Sequence, residues 1–216
     1  MDQKTSDLDV LDPVPRPVRR GEPAWDVALL FPPQGSWTED DYLALNTNRL
    51  IELSDGCLEV LPMPSLAHQL IVAFLYERLM EFLAGRGMGR VVFAPLPVHL
   101  KPGEYREPDI VYLRPGQPRH RVKYPRGSDL VMEVVSEGAE NRDRDLETKR
   151  QEYAAAGIQE YWIVDPEERK VIVLVLDGTT YRVHGEFKPG SSASSVLLSG
   201  FSVAVDAVLA AADEEI

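Results

Sequence analysis

Residues 130 to 135 read Leu-Val-Met-Glu-Val-Val, apolar at both parities of a β-strand and interrupted only by Glu133. A strand apolar on one face can lie at a solvated surface, but one apolar on both must be covered on both. The chain is therefore expected to fold in layers around this segment, with the Glu133 carboxylate buried between them. An isolated buried charge costs several kcal/mol, so it must be paired, protonated or bound to a cation. Its partner must come from elsewhere in the sequence.

Three other charged residues sit where a core should be. Glu52 interrupts Leu-Ile-Glu-Leu, and Asp109 opens Asp-Ile-Val-Tyr-Leu directly after Pro108. A helix is predicted from about Arg142 to Ala156, stopping at Gly157, and on it Leu146, Lys149 and Tyr153 fall at i, i+3 and i+7. Lys149 thus lies on the face meant to be buried, and Asp145, four residues earlier, can pair with it. Each residue alone also fits a strand-end carboxylate or a snorkelling lysine, and together they fit an ion-pair network. Clustered carboxylates beside a lysine equally suit phosphodiester hydrolysis. Carboxylate oxygens hold Mg²⁺ or Mn²⁺ while water completes the shell, and the lysine orients that water or offsets developing charge.

Local signals supply the frame. Thr38 before Glu39, Asp40 and Asp41 marks a helix start. Asp55-Gly56 turns one predicted hairpin, and Asp177-Gly178 turns another. Ser65 to Ala84 carries Val72, Leu75, Leu79 and Phe82 at helical spacing. Short β-type runs occupy residues 90–96, 97–101, 109–113 and 129–136, followed by strands in Gln-Glu-Tyr-Trp-Ile-Val-Asp, Lys-Val-Ile-Val-Leu-Val-Leu and Thr-Thr-Tyr-Arg-Val-His-Gly. Few helices in a strand-rich chain predict an α/β (α+β) domain with a mixed sheet and flanking helices over residues 37–216. Residues 1–36 hold six of the 17 prolines and read as an N-terminal arm.

Composition excludes several classes. One cysteine, Cys57, cannot form an internal disulfide or a cysteine-rich zinc site and fits a reducing cytoplasm. No apolar run reaches the length of a spanning helix, and the N-terminus lacks a secretory apolar core. The formal net charge of −12 argues against coating nucleic acid through bulk charge, so DNA contact would need a local basic surface.

Read in order, the segments around Glu52, Arg106-Glu107-Pro108-Asp109, Glu133-Val134-Val135-Ser136, and Lys149 to Tyr153 followed by Gly157 and Glu160-Tyr161-Trp162-Ile163-Val164-Asp165 resemble a large bacterial restriction-endonuclease family within the PD-(D/E)xK nuclease superfamily. The resemblance covers roughly residues 38 to 205 and implies a restriction-endonuclease-like core. By it, Asp109 and Glu133 are metal-binding acids, Glu52 is an additional one, and Mg²⁺ or Mn²⁺ is the cofactor. The superfamily pattern places its lysine two residues after the second acid, where this chain has Val135. Lys149 on the following helix matches the position the family uses instead. The implied activity is metal-dependent hydrolysis of DNA, with a homodimer suggested by nuclease analogy. The rival reading is a nuclease scaffold that binds nucleic acid or a partner without cutting.

His68 lies on the stripe of Val72, Leu75 and Leu79, as a structural histidine or a further site residue. Residues 114–127 hold five basic side chains and no acid, and Arg119, Arg121, Lys123 and Arg126 are candidate phosphate-backbone contacts. Arg142, Arg144 and Arg150 could extend that surface, although the neighbouring acids dilute it. Gly85, Gly87 and Gly89 lack the context of a phosphate-cradling loop. Tyr161 and Trp162 read as packing residues.

Overall fold

The computed structural model describes residues 31–47, 49–116, 124–136, 138 and 142–213. Arg119, Arg121, Lys123 and all but the last six residues of the predicted arm lie outside them. From Gln34 onward the chain forms one unit.

Thr38 caps helix α1 (Glu39–Leu43) through a capping box in which Thr38 Oγ1 accepts the Asp41 N–H and the Asp41 carboxylate accepts the Thr38 N–H. Strands β1 (Ile51–Ser54) and β2 (Cys57–Val60) form the expected hairpin, with Ser54 opposite Cys57. Asp55 and Gly56 have φ of 48° and 73°, the left-handed pair that a tight hairpin turn requires. The Gly56 carbonyl also accepts the N–H groups of Gly35 and Trp37. Helix α2 (Leu66–Leu83) is capped by Ser65 and buries Ile71, Val72, Leu75 and Leu79.

Strands β3 (Arg90–Phe93) and β4 (Val98–Lys101) are followed by β5 (Glu104–Arg106), a strand that apolar alternation does not predict. Its three residues, Glu-Tyr-Arg, are all buried, and their charges hide a strand pattern that relies on apolar alternation. The turn through Gly103, at φ 76°, returns β5 along β4. Strands β6 (Ile110–Leu113) and β7 (Leu130–Val134) precede a π turn (Arg144–Thr148) that runs directly into helix α3 (Lys149–Ala155). Strands β8 (Glu160–Asp165), β9 (Lys170–Asp177) and β10 (Thr180–Phe187) follow, then the short pair β11 (Ser192–Ser194) and β12 (Ser202–Ala204) and helix α4 (Val205–Ala210). Asp177 pairs with Thr180, so the second hairpin turns on Gly178-Thr179.

The main sheet is mixed, in the order β10-β9-β8-β7-β6-β3. Among its described strands only β7 and β8 run parallel, and the π turn and α3 lie in the crossover between them. A second sheet has the order β2-β1-β5-β4. Strand β7 is buried on both faces, as its sequence demands. Leu130, Met132 and Val134 join the core beneath α2 and α4, whereas Val131 and Val135 pack with Tyr153, Ile158 and Tyr161. Glu133 shares the parity of the second group and so faces α3. Tyr161 and Trp162 are fully buried, as packing residues should be.

Candidate active site

The site forms at the end of β7 next to the start of β6, where elements far apart in sequence meet. Glu133 is 3% exposed. Its Oε1 accepts hydrogen bonds from Lys149 Nζ at 2.8 Å and from the Tyr153 hydroxyl at 2.6 Å. Lys149 and Tyr153 are one helical turn apart on α3, which explains why both reach the same oxygen. Across the antiparallel β6/β7 pair, Asp109 Oδ2 accepts the Val134 N–H at 2.8 Å. In return Glu133 Oε2 receives the Asp109 N–H over 3.5 Å. His68, in the first turn of α2, places Nε2 3.2 Å from Asp109 Oδ2.

Lys149 is as buried as its partner and stands among three carboxylates: Glu133 at 2.8 Å, Asp145 at 3.3 Å and Glu52 at 3.7 Å. Burial alone would lower its pKa, but the three acids reverse that and hold the ammonium well above its ordinary value. Burial pushes the Glu133 carboxyl up to about 7, against the pull of Lys149, with Asp109, Asp145 and Glu52 adding to the rise. For His68, burial opposes protonation but the hydrogen bond and charge of Asp109 more than offset it, raising the pKa.

Glu52 is fully buried and engaged on both oxygens. Oε2 accepts from Arg106 Nη1 at 2.9 Å, and Oε1 accepts the Glu107 N–H at 2.9 Å. Burial works to raise its pKa, yet Lys149, Arg106 and the Glu107 N–H bring it below the ordinary value. Arg106 also meets Glu59 at 2.7 Å and grips Glu152 with two nitrogens, each at 2.7 Å. One guanidinium on β5 therefore ties together β1, β2 and α3.

Sequence reasoning missed Arg106 and Glu107. Both lie in Glu-Tyr-Arg-Glu-Pro-Asp, whose density of charge just before an apolar strand was the available signal. Glu107 Oε2 is buried without a hydrogen-bond partner among the described residues. Burial and the neighbouring Glu52 push this carboxyl up to about 7.

A cleft of about 230 Å³ opens here, walled by His68, Glu107, Asp109, Glu133, Arg144, Asp145 and Lys149 together with Leu61, Pro62 and Met63. The structure thus gathers Asp109, Glu133, Lys149 and His68 around one opening, with Glu52 behind Lys149 and off the cleft wall. Among the described residues no group of three or more His, Cys, Asp or Glu converges to hold a metal ion. The three-acid metal set expected from the sequence is not assembled, because Arg106 and the Glu107 N–H occupy Glu52. Asp109 and Glu133 remain as the neighbouring pair. Two carboxylates suffice for Mg²⁺, which keeps several waters, and among the described residues Glu133 Oε2 has only its long contact to the Asp109 N–H. Arg126, on the basic segment, is exposed and is not part of the cleft wall.

The family model described as "Putative restriction endonuclease" (Uma2) matches residues 39–206. A search of curated proteins gives no match. Among solved structures, the chain is similar to a crystal structure described as a putative nuclease belonging to DUF820 from Anabaena variabilis, with a TM-score of 0.69 and 18% identity, covering 81% of this chain and 98% of that one. That likeness establishes a shared mixed α+β fold. No helix among the described residues is long and apolar enough to cross a membrane. With its model matched over most of the length, and with the two acids, the lysine and the histidine in one cleft, the chain belongs to the Uma2 family of restriction-endonuclease-like proteins.

Proposed function

We propose that this protein is a Mg²⁺- or Mn²⁺-dependent endonuclease that hydrolyses DNA phosphodiester bonds in the reducing cytoplasm. The observation that carries the reading is the buried contact of Lys149 Nζ with Glu133 at 2.8 Å, beside Asp109 on the neighbouring strand. Asp109 and Glu133 would hold the cation, which when bound polarises the phosphate and makes its water a stronger nucleophile. Lys149, kept protonated by its acids, offsets negative charge that develops on the phosphoryl oxygens. The Tyr153 hydroxyl fixes the Glu133 rotamer. Arg106 draws Glu52 away from the cleft, so that Glu52 acts on the site through Lys149. His68 holds Asp109 in orientation.

The competing reading is a scaffold that binds without cutting, in which Lys149 and the three carboxylates around it satisfy one another as an ion-pair network. The two readings separate in one experiment. Plasmid and single-stranded DNA are incubated with the protein with and without Mn²⁺, alongside Glu133→Ala and Asp109→Asn. The nuclease reading expects Mn²⁺-dependent cleavage by wild type only, and a Mn²⁺-induced rise in melting temperature that Asp109→Asn loses. Equal melting shifts in wild type and Asp109→Asn would put the cation elsewhere, and absence of cleavage with a retained shift would favour the scaffold. Sedimentation of the same samples checks the homodimer expected from nuclease analogy.

A further inference from the structure

Among the described residues, the basic side chains on the cleft wall are His68, Arg144 and Lys149. Two of them are committed. His68 is held by Asp109 at 3.2 Å, and Lys149 is wrapped by three carboxylates. Nearby Arg142 is likewise taken, by Asp165 at 2.7 Å and Glu167 at 3.2 Å. Arg144 differs. Among the described residues its Nε is buried without a hydrogen-bond partner, and its ion pair is a 3.7 Å contact with Asp145, an acid that also serves Lys149 at 3.3 Å. A guanidinium matched to a carboxylate makes two contacts near 2.8 Å, roughly. Arg144 makes neither.

The backbone explains how it comes to face the cleft. In a regular helix the residue stacked beneath Lys149 is four positions earlier, Asp145. In the π turn Arg144–Thr148 the Lys149 N–H donates instead to the Arg144 carbonyl, five positions earlier. The widened turn carries both Arg144 and Asp145 onto the side of Lys149, and the Tyr161 hydroxyl pins it by donating to the Asp145 carbonyl at 2.8 Å. Such one-turn π bulges occur often at functional sites. A substrate phosphodiester approaching Asp109, Glu133 and Glu107 meets a wall of carboxylates, so a donor of opposite charge with free valence is what the cleft needs.

We infer that Arg144 is the phosphate-binding residue of this cleft, presented by the π turn to take the non-bridging oxygens of a nucleic-acid phosphodiester. This rests on the nuclease reading for the identity of the phosphate, but the site itself can be tested without cleavage. Binding of a short fluorescent DNA duplex is measured by anisotropy with Ca²⁺ in place of Mg²⁺, over a salt series, for wild type, R144Q and R144K. The Arg144 ion pair with Asp145 is a long 3.7 Å contact and Asp145 keeps Lys149 at 3.3 Å, so R144Q is expected to melt close to wild type. Its affinity should fall by about tenfold or more. The slope of log affinity against log salt should fall by roughly one. R144K should keep the slope while regaining only part of the affinity, because it restores the charge without the planar fork; this also covers the case in which R144Q does not fold. A second arm follows protection of wild type and R144Q against thermal unfolding by inorganic phosphate. If wild type binds the duplex and R144Q matches it in affinity and slope, the Arg144 assignment is overturned and the nuclease reading stands. If inorganic phosphate protects wild type but not R144Q while no duplex binds, the phosphate site stands and the DNA reading falls. If wild type binds neither, both fall.

Discussion

Lys149 is the residue on which periodicity and site geometry agree: the helical stripe placed it inward, and its ammonium meets Glu133 at 2.8 Å. Replacing it with Met keeps the stem and removes the charge, taking from Glu133 its cation and leaving Glu52 to Arg106 and Asp145 to the longer contact with Arg144. Lys149→Met is expected to abolish cleavage and to destabilise the protein by about 3–5 kcal/mol at neutral pH, the usual consequence of breaking a buried pair. Acid conditions should recover part of that loss as carboxylates protonate, and Mn²⁺ should recover part by replacing the positive charge. Denaturant melts with and without Mn²⁺, together with a plasmid assay, check these outcomes. Cleavage at the wild-type rate would remove Lys149 from the chemistry. Asp145 was legible as its helical partner from the four-residue spacing, whereas Arg144 was not, because an ideal helix points it away from Lys149 and only the π turn brings it round.

At the scale of elements, the predictable pieces were those encoded by local signals. The capped starts at Thr38 and Ser65 and the Asp55-Gly56 turn formed as their residues dictate. Strand β5 was not predictable by alternation, since its role is to carry a buried guanidinium between two layers. Arg106 tests that role. Arg106→Met would leave Glu52 and Glu152 without their shared cation, and unfolding in urea should show a loss of about 3–5 kcal/mol at neutral pH. Burial already raises the Glu152 pKa against the pull of Arg106. The loss should therefore shrink on acidification, as Glu152 becomes neutral more readily than an ordinary glutamate. A loss below about 1 kcal/mol, in the range of a surface pair, would mean that the β1-β2 hairpin and α3 are held by apolar contacts alone.

For the whole molecule the site acids set the pH dependence of stability. Glu133 and Glu107 are both raised to about 7 from an ordinary 4.5, so the folded state binds protons that the unfolded chain releases. Their favourable contribution is complete below the ordinary carboxylate range and is lost as pH rises through about 7. Glu52 and Asp165 are shifted the other way, by cationic partners, and their contribution fades in strong acid. Metal-free protein should therefore melt higher near pH 5 than near pH 8, roughly the two sides of this window. Glu133→Gln should flatten that slope, and Mn²⁺ should flatten it in wild type by favouring the ionised acids. A melting temperature that rises steadily from the lower to the higher pH would contradict the buried, charge-crowded cleft.

What the sequence determined by itself was periodic or local. Apolar runs at both parities require a covered sheet, Asp-Gly pairs require tight turns, and Glu52, Asp109, Glu133 and Lys149 are charges that burial obliges the fold to satisfy. What only the tertiary structure decided was which group satisfies which. Glu133 meets a lysine 16 residues away, Arg106 meets Glu152 46 away and Glu52 54 away, and the Glu107 N–H reaches Glu52 across 55. Ion pairing between distant elements leaves no period in the sequence, so the engagement of Glu52 by Arg106, apart from Asp109 and Glu133, and the turning of Arg144 into the cleft follow from sheet order and one widened helical turn.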